Sequence, residues 1–134
     1  MQLHILLSIA AIYMVLVGLG VIFAPQAFGI GAVPTDAAAA LMAYLRLWSS
    51  PLLGIAVLNW MARHAEPSTA RHAIILGNMV GFGAIAAVDV WGSFSGGRPV
   101  TKVFALMHLL FALAFIWVGC MSISAKTSEA VRCR

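Results

Sequence analysis

Residues 37–61, AAAALMAYLRLWSSPLLGIAVLNWM, decide how this chain is read. A helix crosses a bilayer in about 20 apolar residues, and this stretch exceeds that length with a single charged residue, Arg46. A cation at the centre of hydrocarbon costs from ~3 kcal/mol on insertion scales to more than ~10 in simulations. Arg46 therefore needs a partner, a water-filled cavity or a subunit interface, and the polar chemistry of the chain is expected around it.

Working outward, three further stretches have the same character: residues 3–23, 72–94 and 100–123. The 134 residues are 63% hydrophobic and 9% charged, with a mean hydropathy of +1.01. Soluble domains carry about 25% charged residues, so an ordinary soluble core is excluded. The runs are too long and too uniformly apolar for barrel strands, which are ~10 residues and alternate. Backbone groups must be satisfied internally in lipid. The expected fold is an all-α integral membrane protein, four antiparallel transmembrane helices in an up-down bundle. It forms one domain over residues 1–134, with a short polar C-terminal tail at 124–134. The net charge of +4 comes from basic residues that mostly flank the apolar runs, which suits lipid headgroups and not nucleic acid.

Turn chemistry separates the runs. Pro25 ends the first helix, followed by Phe28-Gly29-Ile30-Gly31 and Pro34. Thr35 or Asp36 is placed to cap the second helix, and Ser68 or Thr69 the third. Gly96-Gly97 breaks the chain before the fourth. Such short connections make sequential helices antiparallel neighbours. Arg63, Arg71, Lys126, Arg132 and Arg134 fall on one side, and Arg98 and Lys102 on the other. The positive-inside bias then places both termini in the cytoplasm of a bacterial inner membrane. The first stretch is expected to be retained as a helix: no Lys or Arg precedes it, and it exceeds the 7–15 residues of a signal-peptide core.

Three ionisable residues fall in one half of this bundle. At about 1.5 Å per residue, Arg46 and His108 lie at nearly the same depth, and Asp89 about one turn closer to the surface. An arginine can span that difference by snorkelling. An Arg46–Asp89 ion pair with His108 nearby is expected. It serves either as a polar pocket for a small anion, a lipid headgroup or a quinone-like carbonyl, or as a structural pair that fixes helix packing. Pro51 releases the carbonyl of Leu47, and Ser49 and Ser50 are placed to satisfy it. Trp48 is close enough to Arg46 to stack on a ligand; Tyr44, Trp60, Trp91 and Trp117 suit interfacial belts or packing. Ala73, Gly77 and Gly81 form a small-residue face for close helix packing, within the bundle or between protomers, with Asn78 beside it.

Other chemistry is excluded by spacing. His4, His64 and His72 suit the membrane surface, and no two histidines share a buried depth for haem. No metal site, catalytic constellation, P-loop or dinucleotide fingerprint is present. Cys120 and Cys133 form no C-x-x-C pair and are read as unlinked thiols.

The helix-two arginine followed by a Gly-containing apolar run (residues 46–54), Arg63 before the turn, Arg71 after it, and Gly96-Gly97-Arg98-Pro99 before the last helix form a pattern. It resembles the small four-helix bacterial membrane proteins of the DoxX-like type. The resemblance covers most of the chain in architecture. It implies a membrane bundle, and for some members an accessory role beside quinone-linked oxidoreductases. It carries over no catalytic residues, and Ser49-Ser50-Pro51 stands where such proteins are glycine-rich. The leading expectation is a non-catalytic accessory subunit or small-ligand- or lipid-binding protein. Its partners would be membrane lipid and a larger membrane complex or a second copy of itself, and its ligand a lipid or quinone. The alternatives are a small membrane redox enzyme, a quinone-linked oxidoreductase subunit, or half of a dimeric transporter.

Overall fold

The computed structural model describes residues 2–28 and 33–132, with side chains through Cys120. In chain order the helices are α1 (Leu3–Phe23), α2 (Pro25–Phe28), α3 (Ala39–Ala62), α4 (Thr69–Phe94) and α5 (Pro99–Arg132). Four of these are long and apolar enough to cross a membrane: α1, α3, α4 and the Pro99–Cys120 part of α5. The chain is thus all-helical, with four long apolar helices compatible with a membrane bundle. Leu16, Leu47, Val88, Trp91 and Phe94 are each largely exposed. In water so much open apolar surface would drive association; against lipid it is the ordinary state of a helix.

Two compact units make up the chain, one of Leu7–His64 and one of Met1–Leu6 with Ala65–Arg134. In the first, α1 buries Leu7, Ala10, Ala11 and Met14, a stripe spaced three and four apart as one helix face requires. Met14 meets Asn59, Gly18 approaches Leu53, and Ile22 meets Arg46. Positions rise along α1 as they fall along α3, so the two helices run antiparallel. Pro51 sits inside α3. The Ser50 hydroxyl donates to the Leu47 carbonyl at 2.8 Å, the acceptor that the proline releases, and Ser49 donates to the Arg46 carbonyl at 2.9 Å. Both hydroxyls are therefore committed to the backbone of the proline turn.

The start of α3 differs from the sequence expectation. The helix begins at Ala39, and its N-cap is Ala38, with no side-chain cap; neither Thr35 nor Asp36 serves. The reason is a turn that ends before the helix begins: the Ala37 amide donates to the Pro34 carbonyl. The Gln26 side chain, on the short α2, holds the same segment by donating to the Thr35 carbonyl at 3.0 Å. Residues 29–32 lie outside the described residues. At the other end of the chain, residues 124–132 of the polar tail continue α5 as helix to Arg132. Loss of hydropathy ends a membrane span, but a helix needs a Gly, Pro or cap to stop it, and residues 121–132 contain no Gly or Pro.

In the second unit, Ser68 caps α4 by accepting from the Arg71 amide, one of the two caps the sequence offers. Ile75 approaches Gly119, Phe82 stacks on Phe111 and Phe115, and Gly92 approaches Thr101, so α4 and α5 form an antiparallel hairpin. The turn between them is built from glycine. Ser95 is the C-cap, Gly96 follows with φ +83°, and the Gly97 amide donates to the Gly92 carbonyl at 2.8 Å. This is a Schellman-type ending. Pro99 then opens α5, where its missing N–H is no loss. A Cβ on Gly97 would clash with the Gly92 carbonyl oxygen, and an L side chain at Gly96 would be held in the left-handed region. Gly96→Ala and Gly97→Ala should each lower stability by about 1–2 kcal/mol, whereas Gly81→Ala, where the added carbon meets open space, should not. Unfolding of detergent-solubilised protein with increasing SDS reads the difference.

Candidate functional site

The α4–α5 hairpin brings Asp89 and His108 together. Asp89 lies five residues before the end of α4 and His108 nine residues into α5, so their Cα levels differ by about one turn. Every Cα–Cβ bond tilts toward its helix N-terminus. In an antiparallel hairpin that tilt carries His108 toward the turn and Asp89 away from it, and the side chains converge. His108 Nδ1 and Asp89 Oδ2 are 2.6 Å apart. With the carboxylate ionised, Nδ1 carries the proton and donates. The distance is short for such a pair, as charge-assisted hydrogen bonds are.

The surroundings are aromatic. Phe82 is fully buried, with Phe111 stacked on it at 4.5 Å between ring centroids and Phe115 at 5.9 Å. The imidazole lies 6.0 Å from Phe82 and 6.1 Å from Phe104. His108 is buried, while the Asp89 side chain keeps 20% of its surface open, so a small polar group can reach the carboxylate from outside. The Ser93 hydroxyl donates to the Asp89 backbone carbonyl, not to its carboxylate. In such an environment the open side of the carboxylate can accept a hydrogen bond from a hydroxyl or other donor on a headgroup.

Arg46 belongs to the other unit and is engaged there. Its Nε donates to the Ile22 carbonyl at 3.0 Å. Ile22 is in the last turn of α1, where carbonyls have no partner in their own helix and the helix dipole is negative. Arg46 is thus a side-chain cap on the C-terminus of α1. Within one unit the carboxylate takes His108, and within the other the guanidinium takes the end of α1.

The remaining candidates are placed as follows. Trp48 is exposed and packs edge-on against Tyr44. Ala73, Gly77 and Gly81 are exposed, with open space where a Cβ would stand on either glycine. Asn78 is buried, and its Nδ2 donates to the Ile74 carbonyl of its own helix. Cys120 is a free, exposed thiol, and Cys133 lies outside the described residues. Among the described residues, no three His, Cys, Asp or Glu side chains gather as metal ligands.

The phenylalanines around the pair escaped the sequence reading, yet a signal for them exists. Ile75, Asn78, Phe82 and Ala86 are the buried positions of α4, and Asp89 continues their three-four spacing. Ala105, His108, Ala112 and Phe115 do the same on α5. Two stripes, each with one titratable group, predict that those groups face each other.

No protein-family model, no curated protein and no solved structure matches this chain.

Proposed function

We propose that this protein is a non-catalytic small-ligand-binding or accessory protein of the bacterial inner membrane, with both termini in the cytoplasm, and that its polar site is the Asp89–His108 pair. The observation that carries this reading is a short, charge-assisted hydrogen bond set among phenylalanines in two membrane-length helices, with the carboxylate partly open. Ionisable residues within such helices are costly and mark ligand or proton sites by default. The ligand class that fits is a lipid-soluble molecule with a hydroxyl-bearing headgroup, as in a quinol or a lipid, because an ionised carboxylate only accepts hydrogen bonds. Its tail would meet the exposed apolar surface, its ring or headgroup the phenylalanines, and its hydroxyl would donate to the carboxylate. The resemblance to DoxX-like proteins supports an accessory role beside a quinone-linked complex.

Native mass spectrometry of the protein extracted from its own host in mild detergent tests this. The wild type should carry extra mass, a small molecule or a second polypeptide, and the Asp89→Leu/His108→Leu double variant should lose the small molecule. A bare wild-type chain, or the same bound mass in both proteins, would sink the reading.

A further inference from the structure

A groove of about 310 Å³ opens on the α1–α3 unit. Ala11 and Ala56, both buried, form its floor, and Ile12, Leu16, Val57 and Trp60, all well exposed, form its walls. Alanine at both positions leaves a slot because neither fills the space a larger side chain would. The lining is almost wholly apolar. A helix with its side chains is about 10–12 Å across, and one turn of it needs more room than the slot holds. A single hydrocarbon chain is slender enough to fit it.

One end of the slot carries a cation. The Arg63 guanidinium carbon stands 3.6 Å from the centre of the Trp60 ring, and its Nη1 donates to the Trp60 carbonyl. These two contacts hold the guanidinium over the indole that lines the groove. Arginine has five N–H groups in a fixed fork that matches phosphate, and one of them is given to Trp60. Trp60 lies in the last turn of α3 and Arg63 is its C-cap, the level at which tryptophan and arginine meet lipid headgroups. We propose that this groove is a site for one anionic phospholipid, with an acyl chain in the slot between α1 and α3 and the headgroup phosphate on Arg63. The site is independent of the Asp89–His108 reading, because it uses other residues on other helices.

The test uses vesicles of phosphatidylcholine containing a few per cent of either phosphatidylglycerol or phosphatidylcholine with a photoactivatable acyl chain. Wild-type protein is irradiated in each, and the labelled peptides are identified by mass spectrometry. With the glycerol lipid, label should concentrate on residues 11–16 and 56–60, about five-fold above the choline lipid, the preference one basic group gives near an anionic headgroup. Arg63→Gln should bring that ratio close to one, and Val57→Phe should lower labelling of the groove by both lipids. Label spread evenly over all lipid-facing surfaces, equal labelling by the two lipids in the wild type, or an Arg63→Gln ratio unchanged from wild type would each overturn the assignment. So would an unlabelled groove in a protein that cross-links as a dimer through Ile12→Cys, since a second copy would then be the occupant. The wild-type comparison needs no variant, so a variant that fails to fold leaves the proposal exposed to refutation.

Discussion

Replacing His108 with leucine should cost more stability than replacing Asp89, and replacing both should cost least. The order follows from what each change leaves behind. His108→Leu leaves the Asp89 carboxylate without its 2.6 Å partner, and losing a partner of a charged, mostly buried group costs about 2–3 kcal/mol. Asp89→Leu strands a neutral imidazole, which desolvates more cheaply, at about 1–2 kcal/mol. The double variant removes both polar groups and leaves two apolar side chains at a helix contact, a change that is often neutral or stabilising for a buried pair. SDS unfolding of all four proteins closes a double-mutant cycle. Neutral hydrogen bonds between membrane helices couple by about 0.6 kcal/mol on average, with a maximum near ~1.7; the coupling here should exceed that average clearly. Additive single effects would show that the 2.6 Å contact contributes nothing to stability. The cycle also separates two roles: a double variant that is stable but has lost its bound molecule assigns the pair to binding.

Arg46 should behave as a helix cap, with a graded response to substitution. Arg46→Lys keeps a cation near the negative end of α1 and should cost about 1 kcal/mol or less. Arg46→Leu leaves the Ile22 carbonyl without its side-chain donor, at about 1–3 kcal/mol, partly offset because leucine enters hydrocarbon more easily than arginine. Arg46→Glu removes the donor and sets a negative charge against unpaired carbonyls, so it should be the most damaging, at about 3 kcal/mol or more. The same SDS titration ranks the three. If Arg46 instead held a ligand, Arg46→Lys would release it with stability unchanged, and the ranking would collapse.

The four long helices were legible because a run of about 20 apolar residues has almost no other use. The caps were less so. Ser68 reads correctly because nothing upstream competes for its role, whereas Thr35 and Asp36 are drawn into the Pro34 turn that Gln26 pins, a tertiary effect invisible locally. The relative depth of Asp89 and His108 was also legible, since rise per residue is fixed. Direction around the helices was not, and depth arithmetic alone cannot say whether two side chains meet. The answer lay in the buried stripes of α4 and α5 and in the tilt of Cβ atoms. The preference of Arg46 for a backbone carbonyl had no sequence signature beyond proximity to a helix end. Ser50 was readable for the opposite reason: Pro51 names the carbonyl that must find a donor, and Ser50 is the donor that finds it.

The glycine turn between α4 and α5 has a consequence for how the chain enters a bilayer. Asp89 and His108 are only 19 positions apart, and Gly96, Gly97 and Pro99 fold the chain back between them. A segment emerging from the ribosome therefore holds both groups within one helical hairpin. An aspartate at a helix centre carries an insertion penalty of about 2.5–3.5 kcal/mol, and Asp89, five residues from the end of α4, a smaller one; delivered with its histidine, it enters already hydrogen-bonded. Insertion and pairing of the two groups become one event within the α4–α5 hairpin.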